Sequence, residues 1–110
     1  MIQQIINISK RYNAKGANLL AQEKYQEALH FFDMAVKCQY DYAVAHYNKY
    51  IALTRLKKHD EALQSYDLAI KYNPDSDFAY HGKANLLFDL GRGEEALKCY
   101  DMAIKCSSNS

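Results

Sequence analysis

The chain has 110 residues, enough for one compact unit, and at 49% apolar and 25% charged its composition is ordinary for a soluble protein. A formal net charge of +1, with no run of like charges, leaves no field to recruit nucleic acid or an anionic membrane. No apolar stretch approaches the roughly 18 residues of a transmembrane span.

The opening segment, Met1 to Ile8, is apolar but interrupted by amides. It lacks the basic flank and long apolar core of a signal peptide, so the expected location is cytoplasmic, with other export routes left open. Residues 2–8 either extend the first helix or fold back over it. Six amphipathic stretches then follow. Tyr12, Gly16, Leu19 and Leu20 share a helical face and predict a helix over about 9–22. Ala28, Phe31, Phe32, Ala35 and Val36 predict the next over about 25–38. His46, Tyr50 and Leu53 predict about 43–56, and Ala62, Tyr66, Ala69 and Ile70 about 59–72. Tyr80, Ala84, Leu87 and Phe88 predict about 77–90, and Ala96, Tyr100, Ala103 and Ile104 about 93–106. Asp41, and Asp75 or Ser76, are expected N-caps. The tail from Ser107 to Ser110 is expected to fray.

The markers return every 34 residues: Glu27-Ala28-Leu29, Glu61-Ala62-Leu63 and Glu95-Ala96-Leu97. A fixed period in this range marks a repeat protein. The expected fold is therefore all-α: one domain of three stacked antiparallel helix pairs, with repeats at about 9–42, 43–76 and 77–110. Gly16, Ala28 and Ala35 are small enough to let paired helices approach. Tyr12, Leu19 and Phe32 fill the space that remains.

The pattern resembles the tetratricopeptide repeat. Tyr12, Gly16, Leu19, Tyr25, Ala28, Phe32 and Ala35 stand in that family's slots in the first repeat. Leu53, Ala62, Tyr66, Ala69 and Pro74 do so in the second. Tyr80, Ala84, Leu87, Gly91, Ala96, Tyr100 and Ala103 do so in the third. The resemblance implies a right-handed α-solenoid whose first helices line a concave groove for a partner's peptide or helix. It also implies an adaptor or scaffold rather than a catalyst.

Three departures stand out. Tyr50 occupies the small slot of Gly16 and Ala84, where a ring should overpack by about 1–3 kcal/mol, met either by local repacking or by a widened groove. Gly93 replaces the ring of Tyr25, which predicts a looser third turn. Lys15, Lys49 and Lys83 stand where the family pattern has leucine and are expected to meet the equally periodic Asp33, Asp67 and Asp101.

Steps of 100° around the first helices give the face opposite the core. It carries Lys10, Asn13, Ala17 and Ala21; then Val44, Tyr47, Asn48, Ile51 and Arg55; then Phe78, His81, Gly82, Asn85 and Asp89. Apolar side chains beside amides suit a protein or peptide ligand, because an asparagine can bond main-chain N–H and C=O together. The competing reading is that Val44, Ile51 and Phe78 only pack between neighbouring helices. Relatives that bind chaperones clamp a terminal carboxylate with lysines, an arginine and asparagines. Of the five clamp slots only Asn48 matches; the others hold Asn13, Ala17, Phe78 and Gly82. Weak binding to acidic chaperone C-termini is expected.

Nothing points to catalysis, a metal or a cofactor. His30, His46, His59 and His81 lie in four different slots, and His46 takes an aromatic core position. Cys38, Cys99 and Cys106 have no paired spacing and are expected to be structural thiols, with Cys38 and Cys106, in equivalent slots, as small buried packing residues. After the sixth helix, Cys99, Ile104 and Cys106 are expected near an open stacking face. A longer array, end-to-end homo-oligomerisation through the C-terminal helix, and tolerated exposure are the three readings of it. Beside the interaction module, the sequence leaves a self-assembly unit and a regulatory segment of a larger protein as competing functions.

Overall fold

In the computed structural model, residues 1–108 are described, and they form six α-helices and no strand. These are α1 (Ile2–Ala21), α2 (Tyr25–Cys38), α3 (Ala43–Arg55), α4 (His59–Tyr72), α5 (Asp77–Asp89) and α6 (Gly93–Ser108). They pair as α1–α2, α3–α4 and α5–α6, and each pair packs on the next through α2–α3 and α4–α5. The architecture is an all-α solenoid of helix pairs. Residues 2–8 extend α1 rather than folding back. Ser107 and Ser108 belong to α6, while Asn109 and Ser110 lie outside the described residues.

The tight turn inside each pair is built the same way three times. Glu23, Lys57 and Gly91 adopt left-handed φ of 62°, 64° and 79°. Their N–H groups donate to Leu20, Thr54 and Phe88, and the following N–H groups donate to Leu19, Leu53 and Leu87. This is the double bond of a Schellman stop, which satisfies the last carbonyls of the helix. Only the third turn supplies the glycine that this geometry favours. We therefore expect Glu23→Gly and Lys57→Gly each to raise stability by about 0.5–1 kcal/mol, read as an increase in the urea midpoint at unchanged slope. The third turn is no looser in its hydrogen bonds for having Gly93, which opens α6 on the surface.

Between pairs the caps differ. Ser76 caps α5, its hydroxyl accepting from the Ala79 N–H at 3.3 Å. Asp41 does not cap α3: the N-cap is Tyr42, which makes no side-chain cap bond. The chain stays extended one residue further than expected, so the carboxylate is too early to reach the first free N–H groups.

The core runs continuously through the stack, from Ala28, Leu29 and Phe32 through Ala52, Leu53, Ala62 and Tyr66 to Leu86. Gly16 is there for contact. A Cβ on it would lie 2.5 Å from the ring of Phe32, a side chain with no solvent exposure. His46 is buried as its slot requires. One ring nitrogen, Nε2, lies 2.7 Å from the Tyr40 carbonyl, and the ring stacks on Tyr72. Burial lowers its pKa below the ordinary 6.5, with the Tyr40 carbonyl opposing and Lys49 reinforcing the shift. A folded-state pKa below the unfolded one gives a contribution that is complete above the unfolded value and is lost as pH falls through it. Stability should thus decline from pH 7.5 to 5.5. A His46→Tyr variant, followed by thermal melts, should lose that part of the pH slope.

The cysteine expectation is corrected. Cys38 is exposed at the end of α2, and Cys99 and Cys106 are only partly buried. Cys106 lies beside the loop before α5, its thiol donating to the Pro74 carbonyl at 3.7 Å.

The charged rows do pair, but between repeats rather than within them. Lys49 meets Asp33 at 2.9 Å, and Lys83 meets Asp67 at 2.6 Å. Each lysine reaches back to the second helix of the preceding pair. Lys15, on α1, lies 5.0 Å from the Phe31 ring centroid. Asp101 has no ion-pair partner among the described residues. As partly exposed pairs, the rungs contribute about 0–1 kcal/mol each, so they set register more than stability.

Candidate peptide-binding groove

The face of α1, α3 and α5 opposite the second helices carries the residues singled out from the sequence, and the structure sorts them into clusters. Tyr47, Ile51 and Arg55, one turn apart on α3, line an open cavity of about 640 Å³ with Tyr25, Tyr50, Thr54 and Lys57. Val44, Tyr47 and Phe78 line a second of about 320 Å³ between α3 and α5. Phe78 and His81 line a third of about 550 Å³ together with Tyr100 and Ile104 of α6. Phe78 is 73% exposed and Val44 51% exposed.

The amides are engaged with one another. Asn48 Nδ2 donates to Asn13 Oδ1 at 3.0 Å, joining α3 to α1, and Asn13 Nδ2 donates to the Tyr42 hydroxyl at 3.5 Å. Asn85 lies 3.3 Å from His81 Nδ1 and accepts from the Tyr100 hydroxyl at 2.5 Å. Each amide keeps part of its bonding capacity and is held in one orientation. Lys10 and Asp89 are exposed at opposite ends of the face. Asp89 acts on Tyr50 through its charge; burial raises the Tyr50 hydroxyl pKa, with smaller contributions from Tyr47 and Asp89 in the same direction.

Two residues need reassignment. Gly82 stands on the groove face by angle, but its missing Cβ is a packing feature. A Cβ there would run into the Tyr66 hydroxyl and lie 2.9 Å from two ring carbons. The cause is Tyr50. In the first pair the ring of Phe32 sits against Gly16. In the second pair that small slot holds Tyr50, whose ring centroid is 3.3 Å from that of Tyr66, inside the roughly 4.5–7 Å of relaxed aromatic pairs. Tyr66 is crowded from one side and takes its room from Gly82 on the other. Tyr50 itself turns half-exposed toward Tyr47 and lines the groove. The oversized ring is thus met by repacking, and it adds an aromatic wall to the groove.

Tyr25, Thr54, Lys57, Tyr42 and Tyr100 also line or support the groove and were not singled out from the sequence. In the sequence Tyr25 and Tyr100 are repeat markers. Their outward edges had no sequence signal distinct from that role.

Helix pairs stacked at a constant period, with an aromatic and amide face on the first helices, define a helical-repeat solenoid of the kind that carries binding surfaces. The sequence profile of the tetratricopeptide repeat matches residues 13–77 and 51–110. The chain belongs to the tetratricopeptide repeat family. Among solved structures it is similar to MamA, with 21% identity and a TM-score of 0.90 over 94% of this chain and 61% of that one. The chain thus spans about three fifths of MamA. It is also similar to the tetratricopeptide domain of Arabidopsis OM64, at 20% identity and a TM-score of 0.90 over 96% of this chain and 88% of that one. These two likenesses concern the fold alone. The first tetratricopeptide domain of Spaghetti (RPAP3), bound to the HSP90 peptide SRMEEVD, shares 27% identity and a TM-score of 0.88 over 94% of this chain and 82% of that one. No curated protein matches the sequence significantly. No helix among the described residues is long and apolar enough to cross a membrane.

Proposed function

We propose that the chain is a non-catalytic interaction module, an adaptor or scaffold of the cytoplasm, that holds a protein or peptide segment along the face of α1, α3 and α5. The observation that carries this reading is the continuity of two chemistries on one face. The mostly apolar cavity of Val44, Tyr47 and Phe78 suits apolar side chains, and the Asn13–Asn48 pair on α1 and α3 offers oriented amides to a main chain. The peptide held by the Spaghetti domain supports a peptide as ligand. The ligand chemistry differs here. Phe78 replaces a cation of the carboxylate clamp, Tyr66 leaves no room at Gly82 for another, and Asn13 is tied to Asn48. The preferred ligand is an internal segment with apolar side chains and little negative charge.

A fluorescent SRMEEVD peptide and its C-terminal amide test this preference in parallel. Both should bind weakly and alike. Micromolar affinity for the free acid, lost in the amide, would overturn it.

A further inference from the structure

The cavity of about 640 Å³ at the C-terminal end of α3 differs from the rest of the groove in how its polar groups are engaged. Arg55 and Lys57 bring two exposed positive charges to it, and neither has an ion pair among the described residues. The hydroxyls of Tyr25 and Tyr47 have no hydrogen bond there either. The Thr54 oxygen is shut off from solvent and lies beside Tyr50 without a bond of good geometry. Elsewhere on the same face the polar groups engage one another: Asn13 with Asn48 and Tyr42, and Asn85 with His81 and Tyr100. Asp89 acts on Tyr50 from α5, but it does not line the cavity and makes no ion pair with Arg55.

Two uncompensated cations beside neutral hydroxyls suit an anion with more than one charge and more than two acceptor oxygens. A carboxylate offers a single charge and two oxygens. A phosphate monoester carries about −1.5 to −2 at pH 7 and offers three oxygens. The Arg55 guanidinium can hold two of them at once, the Lys57 ammonium can hold the third, and the hydroxyls can donate to whichever lone pairs remain. The walls add a preference. The rings of Tyr25, Tyr47 and Tyr50 flank the cavity and suit an aromatic ring next to the phosphoryl group. The carboxylate-clamp slots lie elsewhere: none of Asn13, Ala17, Asn48, Phe78 and Gly82 lines this cavity.

We propose that this cavity binds a phosphotyrosine side chain of the groove's ligand, with Arg55 and Lys57 on the phosphoryl oxygens and the tyrosine rings flanking the ligand's ring. The inference rests on the groove reading and deepens it. The bound segment crosses α1 and α3 uncharged and carries its negative charge at this one position.

The probe is N-acetyl-phosphotyrosine amide, titrated into the full chain and followed by amide chemical shifts. It is too short to run along the three first helices, so its binding is read apart from capture of a segment. Saturable binding with a Kd of about a millimolar is expected, with shift changes at Tyr25, Tyr47, Thr54 and Arg55. The unphosphorylated amide should show no saturation over the same range, and the phosphoserine analogue should bind about fivefold more weakly. Arg55→Gln/Lys57→Gln should lose about tenfold or more in affinity with a thermal melt close to native, because both residues are exposed. Asn48→Ala, outside the cavity, should leave the affinity as it is. Equal binding of phosphoserine or of inorganic phosphate would overturn the proposal. So would binding that survives the Arg55 and Lys57 changes, or the absence of saturable binding. Each of those results leaves capture of an unphosphorylated segment standing. Phosphotyrosine binding by a chain that captures no segment would instead contradict the groove reading, with the cavity keeping its ligand class.

Discussion

Alanine at Gly82 should destabilise the fold by about 1–3 kcal/mol, and glycine at Tyr50 should abolish most of that cost. The first effect follows from the space the methyl would need, which the buried Tyr66 ring and hydroxyl already occupy. The second follows from why Tyr66 is there. Tyr50 fills the slot that Gly16 leaves open in the first pair, so Tyr66 is pressed toward α5. With glycine at position 50, the ring can seat as Phe32 does, and a methyl at position 82 becomes tolerable. Urea unfolding of the two single variants and the double variant gives the coupling directly. Strict additivity would show that Tyr50 and Gly82 are independent departures. The Tyr66 hydroxyl has no hydrogen-bond partner among the described residues, so Tyr66→Phe should be neutral or stabilising in the native background.

The second large effect concerns binding. Ile51→Asp should reduce affinity for any groove ligand by about tenfold or more, because a carboxylate would replace an apolar side chain in the Tyr47–Arg55 cavity. Asn48→Ala should act through a different route. It removes one amide and releases Asn13, the other, at a cost of about 1 kcal/mol of binding. Neither change touches the core. Ile51 is partly exposed, and the Asn48–Asn13 bond between α1 and α3 is only part-buried. Thermal melts of both variants should therefore stay close to native, which separates lost binding from lost fold.

The helix pairs were legible in the sequence because the alanines and rings recur without a slip, and period alone dictates which faces are buried. The Lys and Asp rows announced a ladder, but not that each rung would cross between pairs, since a 34-residue period gives no distance between neighbouring units. The cap falls at Tyr42 rather than Asp41 because its position depends on where the chain leaves its extended stretch, a matter of one residue. The candidate groove was legible as a list of side chains and illegible as a surface. Gly82 looked like a groove residue until the Tyr66 ring was seen beneath it. Asn13 and Asn48 looked like two free amides until they met at 3.0 Å. Cys38 and Tyr72 share a slot at the ends of α2 and α4, but the large Tyr72 ring reaches Tyr40 and His46 while the short Cys38 side chain stays exposed. Each of these depends on contact between neighbours in space.

What repeats in this chain builds the solenoid; what fails to repeat, from Asn13 to Asn85, is proposed to bind. The measurement that tests this most directly is selection from a random peptide library displayed on phage, run in parallel on the native chain and on Asn48→Ala/Ile51→Asp. The account predicts that the native chain enriches related peptides with apolar side chains. Their amide chemical-shift changes should centre on Tyr47, Asn48, Ile51 and Phe78, and the double variant should lose them. Equal enrichment by both proteins, or shift changes confined to residues away from α1, α3 and α5, would contradict it.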